Sequence, residues 1–214
     1  MLPRLSNMKI YTSHIDDFSE SDFERICNTV PDKLIEKSLC VKKEHSKKES
    51  LLGRYMLFCV ASANGIDINS ILYGENGKPY IENYKLYFNI SHSDGFVCCA
   101  VSDKEVGIDA EKIKTPSDRV LKKVLCENER KTIKDTDRDF IRYWTLKEAY
   151  LKYTGEGLSE ELFSLDFSFF ADKNNFSLYG VNFFVREHGD FYISICSEDS
   201  KVDFIPFINC EIKA

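Results

Sequence analysis

The chain has 214 residues, 43% of them apolar and 30% charged, and a net charge of −6. That length suffices for one large domain or two small packed halves, and 16 Phe with 11 Tyr can fill a core. The acidic balance excludes the broad basic field of a general nucleic-acid binder, and no apolar run reaches membrane-spanning length.

Met1 to Ile10 carries charge but no long apolar stretch, so no secretory leader is expected. Eight cysteines include no Cys-x-x-Cys pair, and Cys98 and Cys99 lie side by side in an apolar run. Reduced, mostly buried thiols in a cytoplasmic protein are the expectation.

Along the chain, Ser21 to Leu39 has helical apolar spacing interrupted at Pro31. Lys47 to Ala63 is a stronger helix, with Leu51, Leu52, Tyr55, Met56, Phe58 and Cys59 as its stripe and Asn64-Gly65 as its stop. Glu75-Asn76-Gly77-Lys78-Pro79 reads as a turn. Strands follow at Lys85 to Ile90, Phe96 to Ser102 and Glu105 to Ile113. Thr115-Pro116-Ser117 opens a helix that runs to Leu125. Asp137 to Tyr153 is the clearest helix, with Phe140, Ile141, Trp144, Ala149 and Leu151 supplying buried surface and Gly155 and Gly157 ending it. Val181 to Arg186 and Phe191 to Cys196 flank a hairpin signal, Glu187-His188-Gly189-Asp190. The expected fold is α+β: two similar α/β halves side by side, residues 1–104 and 105–214.

Four segments carry chemistry. In Val106-Gly107-Ile108-Asp109-Ala110-Glu111, a strand places Ile108 and Ala110 on one face and Asp109 and Glu111 on the other. Taken alone, this hexapeptide reads as a solvated strand end before it reads as a metal site. Glu148 and Lys152, four apart on a helix, share a face, and the plain reading is an exposed ion pair. A third carboxylate beside Asp109 and Glu111 would instead complete an oxygen site for a hard cation, with Lys152 suited to a phosphate held there. Ser91 and His92 at a strand end could bond a phosphate, though a lone His is more often a turn residue. With only four histidines, no metal cluster of that kind is expected. Among the basic residues ahead of these elements, Lys78 stands apart because Gly77 and Pro79 fix the turn around it.

With these segments in hand, the sequence resembles the Sfp-type 4′-phosphopantetheinyl transferases over about residues 26–170. Gly77-Lys78-Pro79 is followed by Phe88-Asn89-Ile90-Ser91-His92-Ser93. Gly107-Ile108-Asp109-Ala110-Glu111 comes next, then Trp144-Thr145-Leu146-Lys147-Glu148-Ala149-Tyr150-Leu151-Lys152 with Gly155 and Gly157-Leu158 after it. Each motif alone is weak; the ordered set is specific.

The resemblance implies two halves related by a pseudo-twofold axis, with coenzyme A in the cleft between them. It implies Mg²⁺ held by Asp109, Glu111 and Glu148, with Lys152 on the phosphates and Ser91 and His92 near the 3′-phosphate and pyrophosphate. Lys78 matches a coenzyme-contacting lysine, and Lys33, Lys37 and Ser50 fall near further phosphate positions. The segment from Lys33 to Ser50 carries one residue more than the family pattern, and Ala110 is smaller than the branched residue usual there.

The implied reaction moves phosphopantetheine from coenzyme A to a serine of an apo acyl or peptidyl carrier protein and releases adenosine 3′,5′-bisphosphate. Asp109, Glu148 and Lys152 are the catalytic candidates. Either Glu148 or a metal-bound water takes the serine proton, and both stay open. A net-negative enzyme needs a local patch for an acidic carrier, and Ile113 to Leu125 with Lys112, Lys114, Arg119, Lys122 and Lys123 is the candidate. A monomer is expected. Two rivals share the acidic residues: a magnesium-dependent hydrolase of nucleotides or coenzyme A, and a non-catalytic relative that only binds carriers.

Overall fold

The computed structural model describes residues 7–74, 78–81, 86–156 and 164–208. The turn at Glu75-Asn76-Gly77, Lys85, and Gly157-Leu158 lie outside the described residues. The chain forms two compact units, Met1–Lys104 with Lys201–Ala214, and Glu105–Ser200. In chain order the first unit contributes β1 (Met8–His14), α1 (Glu20–Thr29), α2 (Asp32–Leu39), α3 (Glu44–Ala63), β2 (Ile71–Tyr73), β3 (Pro79–Ile81), β4 (Tyr87–Ser93) and β5 (Phe96–Ser102). The second holds β6 (Val106–Lys112), α4 (Asp118–Val124), α5 (Glu127–Thr132), α6 (Thr136–Thr154), β7 (Asn175–Leu178), β8 (Val181–His188) and β9 (Phe191–Ser197). The chain then returns to the first unit with β10 (Val202–Pro206). The architecture is α+β.

In the first unit the sheet order is β10-β1-β5-β4, with β10 parallel to β1 and the other pairs antiparallel. The C-terminal half read from the sequence ran to residue 214; pairing of Val202–Pro206 with β1 carries the last segment into the first unit instead. A two-residue turn, Asp94 (φ 48°) and Gly95 (φ 88°), joins β4 to β5 with the left-handed dihedrals that match strand twist. Pro31 splits the expected helix in two. It lacks an N–H and cannot continue α1, yet its fixed φ suits the N-cap of α2. Ser19 caps α1 through a capping box with Asp22. On α3, Leu51, Leu52, Tyr55 and Met56 are buried in the core of this unit.

The second unit is an antiparallel sheet, β6-β9-β8-β7, against which α6 packs. Asp135 caps α6 by accepting the N–H groups of Asp137 and Arg138, and Gly155 (φ 76°) ends it. Phe140, Ile141, Ala149 and Leu151 are buried as their spacing predicts, while Trp144 is half-buried. Ser117 caps α4, as its start signal predicts. The short α5 and β7 have no clear periodic signature and emerge only in the structure.

Gly107 sets the approach of α6 to β6. A Cβ there would lie 2.1 Å from the Ala149 carbonyl oxygen and 2.4 Å from the Tyr153 nitrogen. Both are backbone atoms of α6, so relief requires the helix to move. Gly107→Ala is therefore expected to destabilise the protein by about 3 kcal/mol, read as a lower denaturant midpoint at unchanged m-value.

Among the described residues all seven cysteines are free thiols, and burial pushes the Cys99 thiol up to about 12. No described helix is long and apolar enough to cross a membrane.

Candidate active site

On β6 the side chains alternate: Ile108 and Ala110 are fully buried in one direction, and Gly107, Asp109 and Glu111 share the other. Because Gly107 lies directly against the Ala149–Tyr153 turn of α6, that second face is the one turned to the helix. Glu148 and Lys152 stand one turn apart on α6 and meet it. Lys152 Nζ donates to Asp109 Oδ1 at 2.6 Å, and Asp109 is only 4% exposed. Glu111 Oε2 lies 3.6 Å from Lys114 Nζ, at the more open end of the strand.

Glu148 completes the group. Burial pushes its carboxyl up to about 7; the Asp109 charge adds to the rise, Lys152 opposes it and Glu111 adds a little more. Its Oε1 is buried without a hydrogen-bond partner. Lys152 thus meets Asp109 beside Glu148, Glu111 lies toward Lys114, and Glu148 Oε1 is buried and unsatisfied. A hard divalent cation, which takes several carboxylate oxygens, fits that donor set.

A second acidic group needs separating from this one. Cys126, Glu129 and Asp166 offer ligand atoms within 4.8 Å of one another. That place already holds a cation. Lys147 Nζ sits 2.8 Å from Glu129 Oε2, with both side chains at 0% exposure. The same ammonium donates to the carbonyls of Val124 and Leu165, each at 2.9 Å. The Cys126 and Phe167 N–H groups donate to the two Glu129 oxygens. The group is a structural node.

The remaining sequence-derived candidates lie in the first unit. His92 is on β4 with its side chain 36% exposed, next to Ser91, which is buried. Adjacent strand residues project oppositely, so Ser91 does not share the His92 face. Lys33 Nζ donates to the Asn69 carbonyl at 2.8 Å. Lys37 Nζ lies 4.1 Å above the Tyr73 ring, and Ser50 Oγ is 2.7 Å from Ser38 Oγ. Lys78 directly precedes β3. Sequence reasoning passed over Glu49, a buried carboxylate one residue before Ser50 that meets both His45 and His92. The available signal was the i,i+4 spacing of His45 and Glu49 on α3.

Comparison with known proteins agrees with this geometry. A family model described as the 4′-phosphopantetheinyl transferase superfamily matches residues 105–203, the stretch that holds Asp109, Glu111, Glu148 and Lys152. The 4′-phosphopantetheinyl transferase Sfp of Bacillus subtilis (strain 168) is 30% identical over 203 residues, 90% of this chain and 83% of the relative. A 4′-phosphopantetheinyl transferase of Bacillus subtilis is 32% identical over 162 residues, 71% of this chain and 72% of the relative. The transferase gsp of Aneurinibacillus migulanus is 34% identical over 133 residues, 59% of this chain and 52% of the relative. With its ordered motifs, its β6–α6 carboxylates and these relatives, the chain belongs to the 4′-phosphopantetheinyl transferase superfamily, among the Sfp-type enzymes.

Proposed function

We propose that this transferase moves the 4′-phosphopantetheine group of coenzyme A onto a serine of an apo acyl or peptidyl carrier protein in a Mg²⁺-dependent reaction, releasing adenosine 3′,5′-bisphosphate. The observation that carries the reading is the meeting of Asp109, Glu111, Glu148 and Lys152 between one strand and one helix of the second unit. Asp109, Glu111 and Glu148 would hold the Mg²⁺. When bound, that ion would neutralise pyrophosphate charge and stabilise the departing phosphate.

The chain's own residues do the rest. The serine oxygen attacks the β-phosphorus, and the bond from that phosphorus to the bridging oxygen of the pyrophosphate breaks. Glu148 takes the serine proton. Burial raises that carboxyl in the metal-free chain, while a bound cation would favour its ionised form, so it is the place of Glu148 beside the site that suits it to the transfer. Lys152, held by Asp109, adds positive charge beside the leaving group. Alignment and charge neutralisation supply most of the acceleration in such a transfer.

Lys152 would meet the phosphates of coenzyme A, with Lys78 and His92 as further coenzyme candidates and the buried Ser91, on the other face of β4, a weaker one. Lys33, Lys37 and Ser50 would join only by leaving Asn69, Tyr73 and Ser38, so they are the weaker members of the set. We read the protein as a monomer, and as cytoplasmic in keeping with the free thiols among the described residues.

The carrier would dock on α4. Its Lys122 and Lys123 are exposed in the last turn, and Val120 beside them is 40% exposed. Reversing both lysines to Glu is expected to raise KM for an acidic carrier by about tenfold or more, against little change for coenzyme A. Equal changes in the two KM values would remove the docking role. The class itself is tested by mass spectrometry of apo carriers incubated with coenzyme A and Mg²⁺. Gain of one phosphopantetheine supports it; silence across fatty-acid, polyketide and peptide carriers counts against it.

A further inference from the structure

Three of the chain's four histidines gather at the β4–β5 turn of the first unit. His45 comes from α3, His92 from β4 and His14 from the end of β1. At their centre is the Glu49 carboxylate, whose side chain is only 5% exposed. Oε1 accepts the Gly95 N–H at 2.7 Å and lies 3.4 Å from His45 Nε2, while Oε2 lies 3.3 Å from His92 Nδ1. A buried carboxylate needs such donors to offset its desolvation.

We propose that Glu49 is a positioning residue that orients His92 and His45 as imidazolium groups, one N–H of each ring given to the carboxylate and the other to the phosphate monoester of the coenzyme, with His45 a second binding residue. The proposal rests on the reading of His92 as a coenzyme contact. Each ring turns one nitrogen to Glu49, which fixes the ring plane. The exposures agree: His45 is 55% and His92 36% exposed, over a carboxylate that is nearly closed off. Two imidazole edges from a helix and a strand suit a terminal phosphate, which presents three acceptor oxygens. His14 has a different task. Its Nδ1 accepts the Asp16 N–H at 3.3 Å, and its ring packs where a Cβ on Gly95 would come within 2.5 Å. It braces the turn that supplies the N–H to Glu49.

The test compares initial rates with coenzyme A and with its analogue lacking the 3′-phosphate, at saturating carrier and Mg²⁺. Glu49→Gln keeps the shape but leaves one acceptor oxygen for three donors. His45→Gln, at an exposed helix position, keeps the question open if the buried variant folds poorly. Both variants, like His92→Gln, are expected to raise KM for coenzyme A by about tenfold, far more than they lower kcat, and to leave KM for the analogue unchanged. Equal effects on both compounds, or none, in Glu49→Gln and His45→Gln while His92→Gln discriminates would overturn the proposal alone. If wild-type enzyme does not distinguish the compounds, or His92→Gln is without effect, the reading of His92 falls and the proposal with it.

Discussion

Glu148→Gln is expected to lower turnover by at least about a hundredfold, the low end of what a positioned base contributes, while leaving the metal-free fold as stable as before or more so. The two effects have one cause. In the folded chain burial holds the Glu148 carboxyl near 7, above its ordinary value of 4.5, and the Asp109 charge adds to the rise. Between those values the folded state binds more proton than the unfolded one, so stability falls as pH rises from about 4.5 through about 7. The neutral amide removes that slope. A divalent cation favours the ionised carboxylate, so the Mg²⁺-induced rise in Tm in the native protein should be larger at pH 7.5 than at pH 5.5. In Glu148→Gln it should largely vanish. Thermal melts with and without Mg²⁺ read the binding role without any assay of transfer. Near-native turnover of the variant at saturating Mg²⁺ would remove both roles from Glu148.

Lys147→Met should be the most destabilising substitution in the motif, by about 3–5 kcal/mol, lowering Tm by on the order of 10 °C in a chain of this size. Lys147 and Glu129 are wholly buried, and the ammonium also serves the Val124 and Leu165 carbonyls. Removing it strands a buried carboxylate and two backbone acceptors. The carboxylate still holds the Cys126 and Phe167 N–H groups, so those segments would loosen with it. Pairing the change with Glu129→Gln should recover much of the loss, because the uncompensated charge accounts for a large part of it. A double variant no more stable than the single one would mean that lost packing dominates. Glu148, the next residue, is expected to behave in the opposite sense, since its charge is held against a rise rather than within a satisfied pair.

Periodicity exposed the elements whose pattern is local. The alternation of Ile108 and Ala110 with Asp109 and Glu111 set the two faces of β6, and the i,i+4 spacing of Glu148 and Lys152 set one face of α6. Pro31, Ser117 and Gly155 punctuated helices where their backbone chemistry demands it. The family order of the motifs joins the β6 carboxylates to Glu148 and Lys152 of α6.

What remained hidden depends on segments far apart in the chain. β10 pairs with β1 across nearly the whole length of the chain, and a five-residue strand has too short a pattern to announce itself. Gly107 looks like any strand glycine until the Ala149 carbonyl is seen where its side chain would be. Lys147 and Lys152 are both motif lysines on one helix, yet one is sealed against Glu129 and the other reaches Asp109 in the site. Glu49 looks like a surface acid of a helix rich in charge, and folding buries it between two imidazoles. Residue type and spacing decide which face of an element a side chain occupies. Which charge it meets there, and whether water remains between them, is decided when distant elements close over it.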